Sequence, residues 1–246
     1  MKQNNFGVLS GEYDQVRRGY PQEVFDYLHS KTQEEKNLLD IGCGTGISTR
    51  QLKGAGFNVV GIDMDSGMIE KAKAHGGIEY VVAPANKLPF NDSEFDIVAA
   101  FTSFHWFTDD VSVAEIKRVL KTGGLFFVAL KHKNESIETE AFRNEYKSIL
   151  SKYVGDKYDS SKDFKSVDVL NKNNLSNIEE KTFYMKEEYT VDEILTLVKS
   201  ISYWNLVPEE SKPTLLKELS DLYTKYSVNG VFTRDQKVSV TIGYKN

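Results

Sequence analysis

Residues 38–46 read Leu-Leu-Asp-Ile-Gly-Cys-Gly-Thr-Gly. The left half is a short apolar run ending at Asp40, and the right half sets Gly42, Gly44 and Gly46 at alternate positions. Glycine lets the backbone take positive φ, and its missing Cβ lets a ligand lie directly on the main chain. Helical sequence from Ile47 onward would aim free N–H groups at whatever occupies the turn. Asp63 closes the next apolar run, roughly 20 residues after the first glycine, where a nucleotide-binding α/β fold presents an acid to ribose hydroxyls. The alternative for Asp63 is an ordinary turn residue in IDMDSG, since aspartate favours turns. Met64 and Met68 beside it would pack on an adenine ring or, as often, on the core.

The spacing selects among ligands. A dinucleotide fingerprint, G-x-G-x-x-G, needs glycine at position 47, where this chain has Ile47, so a nicotinamide oxidoreductase is disfavoured. Asp40-x-Gly42-x-Gly44-x-Gly46 instead resembles the nucleotide-binding loop of class I S-adenosylmethionine-dependent methyltransferases. That cofactor has no pyrophosphate to set on a helix, but its methionine ammonium suits a carboxylate and turn carbonyls. Phe95-Asp96-Ile97-Val98 and Arg118-Val119-Leu120-Lys121-Thr122-Gly123-Gly124 resemble the same family, with Thr122 where proline is usual. The resemblance is dense over 38–131, takes in an arm from Tyr13 to Tyr20-Pro21, and is looser over 190–246. Phe104-His105-Trp106-Phe107 is similar to the group that includes trans-aconitate methyltransferases.

Carried onto this chain, the resemblance implies S-adenosylmethionine as cofactor and S-adenosylhomocysteine as product. It implies cofactor contacts from Tyr13, Arg18, Asp40, Gly42, Cys43, Gly44, Asp63, Met64, Met68, Ala85, Asn86 and Phe101. The family often aims an acid at the adenine amino group, and Pro84 stands at that position here; the backbone at Ala85 and the Asn86 amide are the substitutes. His105 would hydrogen-bond an acceptor oxygen or act as a base, its ordinary pKa lying near 6.5, and Trp106 would line the acceptor pocket beside it. Its bland alternative is a loop histidine capping the next helix, with Trp106 and Phe107 in the core. Tyr13, Arg17 and Arg18 would close over the acceptor, one arginine gripping a carboxylate bidentately, or form a solvated arm. Tyr203 and Trp204, on a helix of the late insertion, would wall the acceptor pocket or sit in the core of a lid. With no base partner, Cys43 reads as a small packed residue. The four histidines are scattered without ligand spacing, so no metal is expected.

These positions demand elements that hold them. Strands are expected at 38–41, 57–62, 78–82, 95–101 and 125–130, with helices at 22–29, 47–54, 66–75 and near 110–120. Pro21 suits the first turn of its helix, and Ser66 is read as an N-cap. Strands alternating with helices give a Rossmann-like, doubly wound, mostly parallel sheet of the seven-stranded kind, with ligands at the C-terminal strand edge. Beyond Lys131 come an amphipathic helix from Ile137 to Tyr153, a strand near 181–186, and a helix opened by the capping-box pattern Thr190-Val191-Asp192-Glu193. A helix through Leu215 to Tyr223, an Asn229-Gly230 turn and an alternating strand from Val238 to Tyr244 follow. The expected division is a core of 1–131 and 178–246, including an arm and helix over 13–30, with helical lid insertions at 132–177 and 190–227.

Composition narrows the function. Hydrophobic content of 40% and charged content of 27% are ordinary for a globular chain of 246 residues. A net charge of −5 argues against a broad nucleic-acid surface. One cysteine excludes an internal disulfide and favours a reducing compartment. MKQNNFGVLSGEYD lacks a signal-peptide core and no apolar run approaches a membrane span, so a cytoplasmic location without membrane contact is expected. The preferred function is methyl transfer to a small molecule, with a carboxylate or other oxygen as acceptor, by a monomer or weak homodimer. Its rivals are an RNA or protein methyltransferase of the same fold and a non-catalytic S-adenosylmethionine-binding protein.

Overall fold

The computed structural model describes residues 16–32, 36–134, 140–155 and 164–246. The apolar runs become β1 (Asn37–Ile41), β2 (Asn58–Asp63), β3 (Glu79–Val82) and β4 (Phe95–Phe101). α1 (Gln22–Ser30) precedes β1, α2 (Ile47–Gly54) and α3 (Ser66–Ala74) lie between the strands, and α4 (Asp110–Val119) follows β4. Leu38 pairs with Val59 and with Ile97, and Gly61 with Tyr80, all in parallel register. β5 (Leu120–Lys133) joins β4 in parallel, Val98 opposite Phe126. The later segments supply β6 (Ser176–Thr190) and β7 (Val231–Tyr244), completing a seven-stranded sheet in the order β3-β2-β1-β4-β5-β7-β6. Gly123 bonds to Lys245 while Asn134 bonds to Asp235, so β7 runs antiparallel to β5.

The chain divides into two compact units. The second and larger covers 19–132, 164–183 and 237–246, and the first covers the described residues of 1–18, 133–163 and 184–236. In the larger unit, Leu39, Val98, Phe104, Phe126 and Val128 are fully buried in one apolar core, each worth about 1.5–3 kcal/mol of transfer free energy. The central strands are covered on both faces, and β1 and β4 are buried along most of their length. The smaller unit holds α5 (Glu140–Val154), α7 (Val191–Lys199) and α8 (Lys212–Tyr226) around its own core, where Leu150, Leu215 and Leu219 are fully buried. The Thr190–Glu193 capping box forms at the start of α7.

Several expectations shift. Strands β5, β6 and β7 are longer than the alternation predicts, because they continue through segments of charged and polar residues that stay largely solvated. A helix absent from the sequence reading, α6 (Ser166–Lys172), buries Leu170 in the core of the larger unit. Ser66 is not the cap of α3: Asp65 Oδ1 accepts the N–H groups of Gly67 at 2.8 Å and Met68 at 3.2 Å. Tyr203 and Trp204 lie in a 3-10 turn, Ser202–Leu206, not on an α-helix. Residues 1–15, and Tyr13 with them, lie outside the described residues.

Candidate functional site

The glycine turn sits at the C-terminal end of β1, where three long-range contacts shape it. Gly42 N–H and Cys43 N–H both donate to the Ile62 carbonyl, at 2.8 and 2.9 Å, tying the turn to β2. Ser103 Oγ donates to the Ile41 carbonyl at 2.7 Å, tying it to the end of β4. Gly42, Gly44 and Gly46 all have positive φ, at 70°, 55° and 80°. A Cβ on Gly42 would lie 2.6 Å from Ser103 Cβ, so glycine is required there by packing as well as by φ. At Gly44 a Cβ would meet nothing within 4 Å, so space opens above the main chain there.

Two acids frame the turn. Asp40 is fully buried; its Oδ2 accepts from the hydroxyls of Ser48 at 2.9 Å and Thr49 at 2.7 Å, both on α2. Its Oδ1 has no hydrogen-bond partner among the described residues. Burial pushes the carboxyl up to about 7, against the pull of the two hydroxyls. Asp63 Oδ2 accepts the Gly44 N–H at 2.9 Å and Oδ1 accepts the Asp65 N–H at 2.9 Å. Each of its oxygens keeps a lone pair for a further donor. Desolvation raises Asp63 as well, while the backbone donors lower it.

Around this pair, Met68 and Cys43 are buried and Met64 is 69% exposed. Burial pushes the Cys43 thiol well up, as befits a packed residue. Ala85 is half-buried and Asn86 exposed, in a turn closed by Lys87 N–H to the Pro84 carbonyl at 3.1 Å. That segment is fastened from α4: Arg118 donates to the carbonyls of Leu88 and Phe90, and Glu115 accepts the Leu88 N–H at 2.8 Å. Phe101 is a core residue, its ring edge-on to Tyr20 at 4.8 Å and stacked with Phe25 at 5.9 Å.

Past β4 the Phe-His-Trp-Phe segment separates by role. Phe104 is fully buried and Phe107 nearly so, while Trp106 is 63% exposed. His105 lies in the 3-10 turn Phe104–Trp106, its ring tilted on Trp106 at 4.8 Å and facing Phe164 at 6.4 Å. It does not cap α4, because Asp109 accepts the Ser112 N–H at 3.0 Å and fills that role. Desolvation and the neighbouring His132 lower its pKa, so the imidazole is neutral at pH 7.

The smaller unit holds the remaining expected acceptor residues. Arg18 donates to Glu193 Oε1 and to the Glu188 carbonyl, each at 3.0 Å, with its guanidinium 4.7 Å from the Tyr189 ring centroid. Arg17 is half-buried beside it. Tyr203 is hydrogen-bonded to Tyr146 through their hydroxyls, and Trp204 is buried in the core with Lys212 over its ring.

Sequence reading missed a second cluster at the β4 edge. Thr102, at φ 50°, shares a 2.6 Å hydrogen bond with the Tyr20 hydroxyl, and its Oγ1 accepts the Lys131 N–H at 3.1 Å. Lys131 Nζ reaches the Gly19 carbonyl at 2.8 Å over the Tyr20 ring. A threonine with positive φ at a strand end is the only local sign of it, and φ is not written in sequence. Among the described residues no group of histidines, cysteines or acids could hold a metal ion, and no helix is long and apolar enough to cross a membrane.

Residues 39–128 match the family model for a methyltransferase domain. A protein of Dictyostelium discoideum named as a methyltransferase is 24% identical over 235 residues, covering 90% of this chain and 86% of that one. A type II methyltransferase structure from Anaeromyxobacter dehalogenans superposes with TM-score 0.66 at 20% identity, over 94% of this chain and 97% of that one. The Haemonchus contortus phosphoethanolamine N-methyltransferase 2, crystallised with S-adenosylmethionine, aligns with TM-score 0.56 at 17% identity, over 99% of this chain and 58% of that one. The class defined by this domain and fold is that of the methyltransferases. Within it the chain is a class I S-adenosylmethionine-dependent enzyme. The residues fit that cofactor: the main chain is open above Gly44, Asp63 is held with lone pairs to spare, and Asp40 carries a buried oxygen without a donor.

Proposed function

We propose that the chain transfers a methyl group from S-adenosylmethionine, held on the 42–46 turn, to a small-molecule acceptor through an oxygen such as a carboxylate. The observation that carries the cofactor half is the bond from Gly44 N–H to Asp63 beside open space over Gly44. In this reading Asp63 receives the ribose hydroxyls, the turn backbone carries the methionine end, and Ala85 and Asn86 face the adenine. When bound, the cofactor supplies a methyl already activated by its sulfonium. The residues therefore have little acid–base work, and in-line positioning contributes on the order of 7–11 kcal/mol. His105, neutral at pH 7, accepts a proton from a phenol or other protic acceptor, and serves only to orient a carboxylate.

The net charge of −5 favours a small molecule over RNA. Tritiated methyl transfer into a metabolite extract, beside purified RNA and a protein mixture, tests the choice. Label in the small-molecule fraction supports this reading. Label confined to RNA or protein replaces it with the macromolecular one, and no label in any fraction supports a binding protein.

A further inference from the structure

Three cations gather in the smaller unit without belonging to the site above. Lys133 ends β5, Arg143 lies on the first turns of α5, and Arg234 lies on β7. Lys133 Nζ sits 5.0 Å from the Tyr146 ring centroid, and the Tyr146 hydroxyl bonds to that of Tyr203. Arg234 has one carboxylate among the described residues, the buried Glu187, at a long 3.4 Å, and Glu187 also accepts from the Tyr189 hydroxyl at 3.1 Å. Arg143 Nη1 is buried with no acceptor among the described residues. A buried guanidinium N–H without an acceptor is rare in a folded protein, because its desolvation is uncompensated.

We propose that Lys133, Arg143 and Arg234, with the Tyr146 hydroxyl pair beside them, form a binding site for a small oxyanion, a carboxylate or a phosphate monoester. The planar fork of Arg143 matches the two oxygens of such a group, and the aromatic floor excludes the water that would otherwise screen it. The charges already strain against one another: desolvation and the facing Arg234 and Arg143 draw the Lys133 ammonium down to about 8. An anion here would supply the acceptor that the buried Arg143 Nη1 lacks. The site goes beyond the proposed function, since it does not depend on which ligand the glycine turn takes.

Calorimetric titration of the full chain with citrate and with inorganic phosphate, at constant ionic strength, tests it without reference to methyl transfer. Saturable binding of citrate alone assigns a carboxylate, and of phosphate alone a phosphate monoester. Arg143→Met and Arg234→Met should each weaken the bound probe at least tenfold, with Arg143→Lys restoring part of the loss. S-adenosylhomocysteine titrated into the same samples separates this site from the glycine turn and should bind each variant as it binds wild type. Should Arg143→Met fail to fold, the wild-type and Arg234→Met titrations decide. No saturable binding of either probe to the wild type, or undiminished binding in both methionine variants, overturns the proposal.

Discussion

Asp63 is bonded to the turn that it faces: Oδ2 accepts the Gly44 N–H and Oδ1 accepts the Asp65 N–H, each at 2.9 Å. The acid is thereby fixed before any ligand arrives, which lowers the ordering cost of binding. Asp63→Ala should weaken S-adenosylmethionine by ~1.5–3 kcal/mol, the scale for hydrogen bonds to a charged group. Asp63→Asn, which keeps one acceptor oxygen, should lose less. Equal affinity in wild type and Asp63→Ala, read by calorimetry, would return Asp63 to the role of a turn residue.

Gly42 and Gly44 are expected to separate fold from function. Gly44→Ala meets no neighbour, so its cost to stability should be the ~1–2 kcal/mol of a side chain at positive φ, while the added methyl blocks the ligand's approach. Gly42→Ala adds a clash with Ser103 and should cost ~1–3 kcal/mol more. Urea unfolding with cofactor titration checks both. A Gly44→Ala protein that binds as wild type does would mean the ligand lies elsewhere.

Asp40 should make stability depend on pH. Its carboxyl titrates near 7 in the fold, against an ordinary value of 3.8. Between those values the folded protein holds a proton that the unfolded chain has released, so stability falls as pH rises from about 4 to 7. Asp63, also raised, contributes with the same sign. Asp40→Asn should remove Asp40's share, a loss of slope worth a few kcal/mol at most across the window. Urea unfolding at pH 5 and pH 8 measures it; an unchanged slope in Asp40→Asn would contradict the assignment.

His105 should set the acid limb of the rate. Because desolvation of the ring and the neighbouring His132 lower its pKa, protonation sets in only below the ordinary histidine range, and methyl transfer to a protic acceptor should fall only there. His105→Gln should lower the rate at least tenfold, ~1.4 kcal/mol in the barrier, and abolish that limb. A limb that persists in His105→Gln belongs to another group.

Which parts of this were legible in the sequence follows from the range of the forces involved. The glycine turn and Asp63 are local patterns: a strand, a positive-φ turn and an acid at a fixed distance along one β-α-β unit. The parallel pairing of the first five strands follows from apolar runs separated by helices. Ser103 and Arg118 were not legible as site-builders, because their work is done on Ile41, Leu88 and Phe90, distant in the chain. Arg18 looked available for a ligand; its contacts with Glu193, the Glu188 carbonyl and Tyr189 come from residues about 170 positions away. The clustering of Lys133, Arg143 and Arg234 was invisible for the same reason. The lengths of β5, β6 and β7 were underestimated because a strand with one solvated face can carry many charged and polar residues without an apolar run to mark it.

Whether the 42–46 turn with Asp63 holds S-adenosylmethionine is read from calorimetric titration of the wild-type chain with S-adenosylmethionine, S-adenosylhomocysteine and NADH. The first two should bind at one site with micromolar dissociation constants, roughly −8 kcal/mol, and NADH should not bind. Binding of NADH without binding of S-adenosylmethionine or S-adenosylhomocysteine would contradict that assignment.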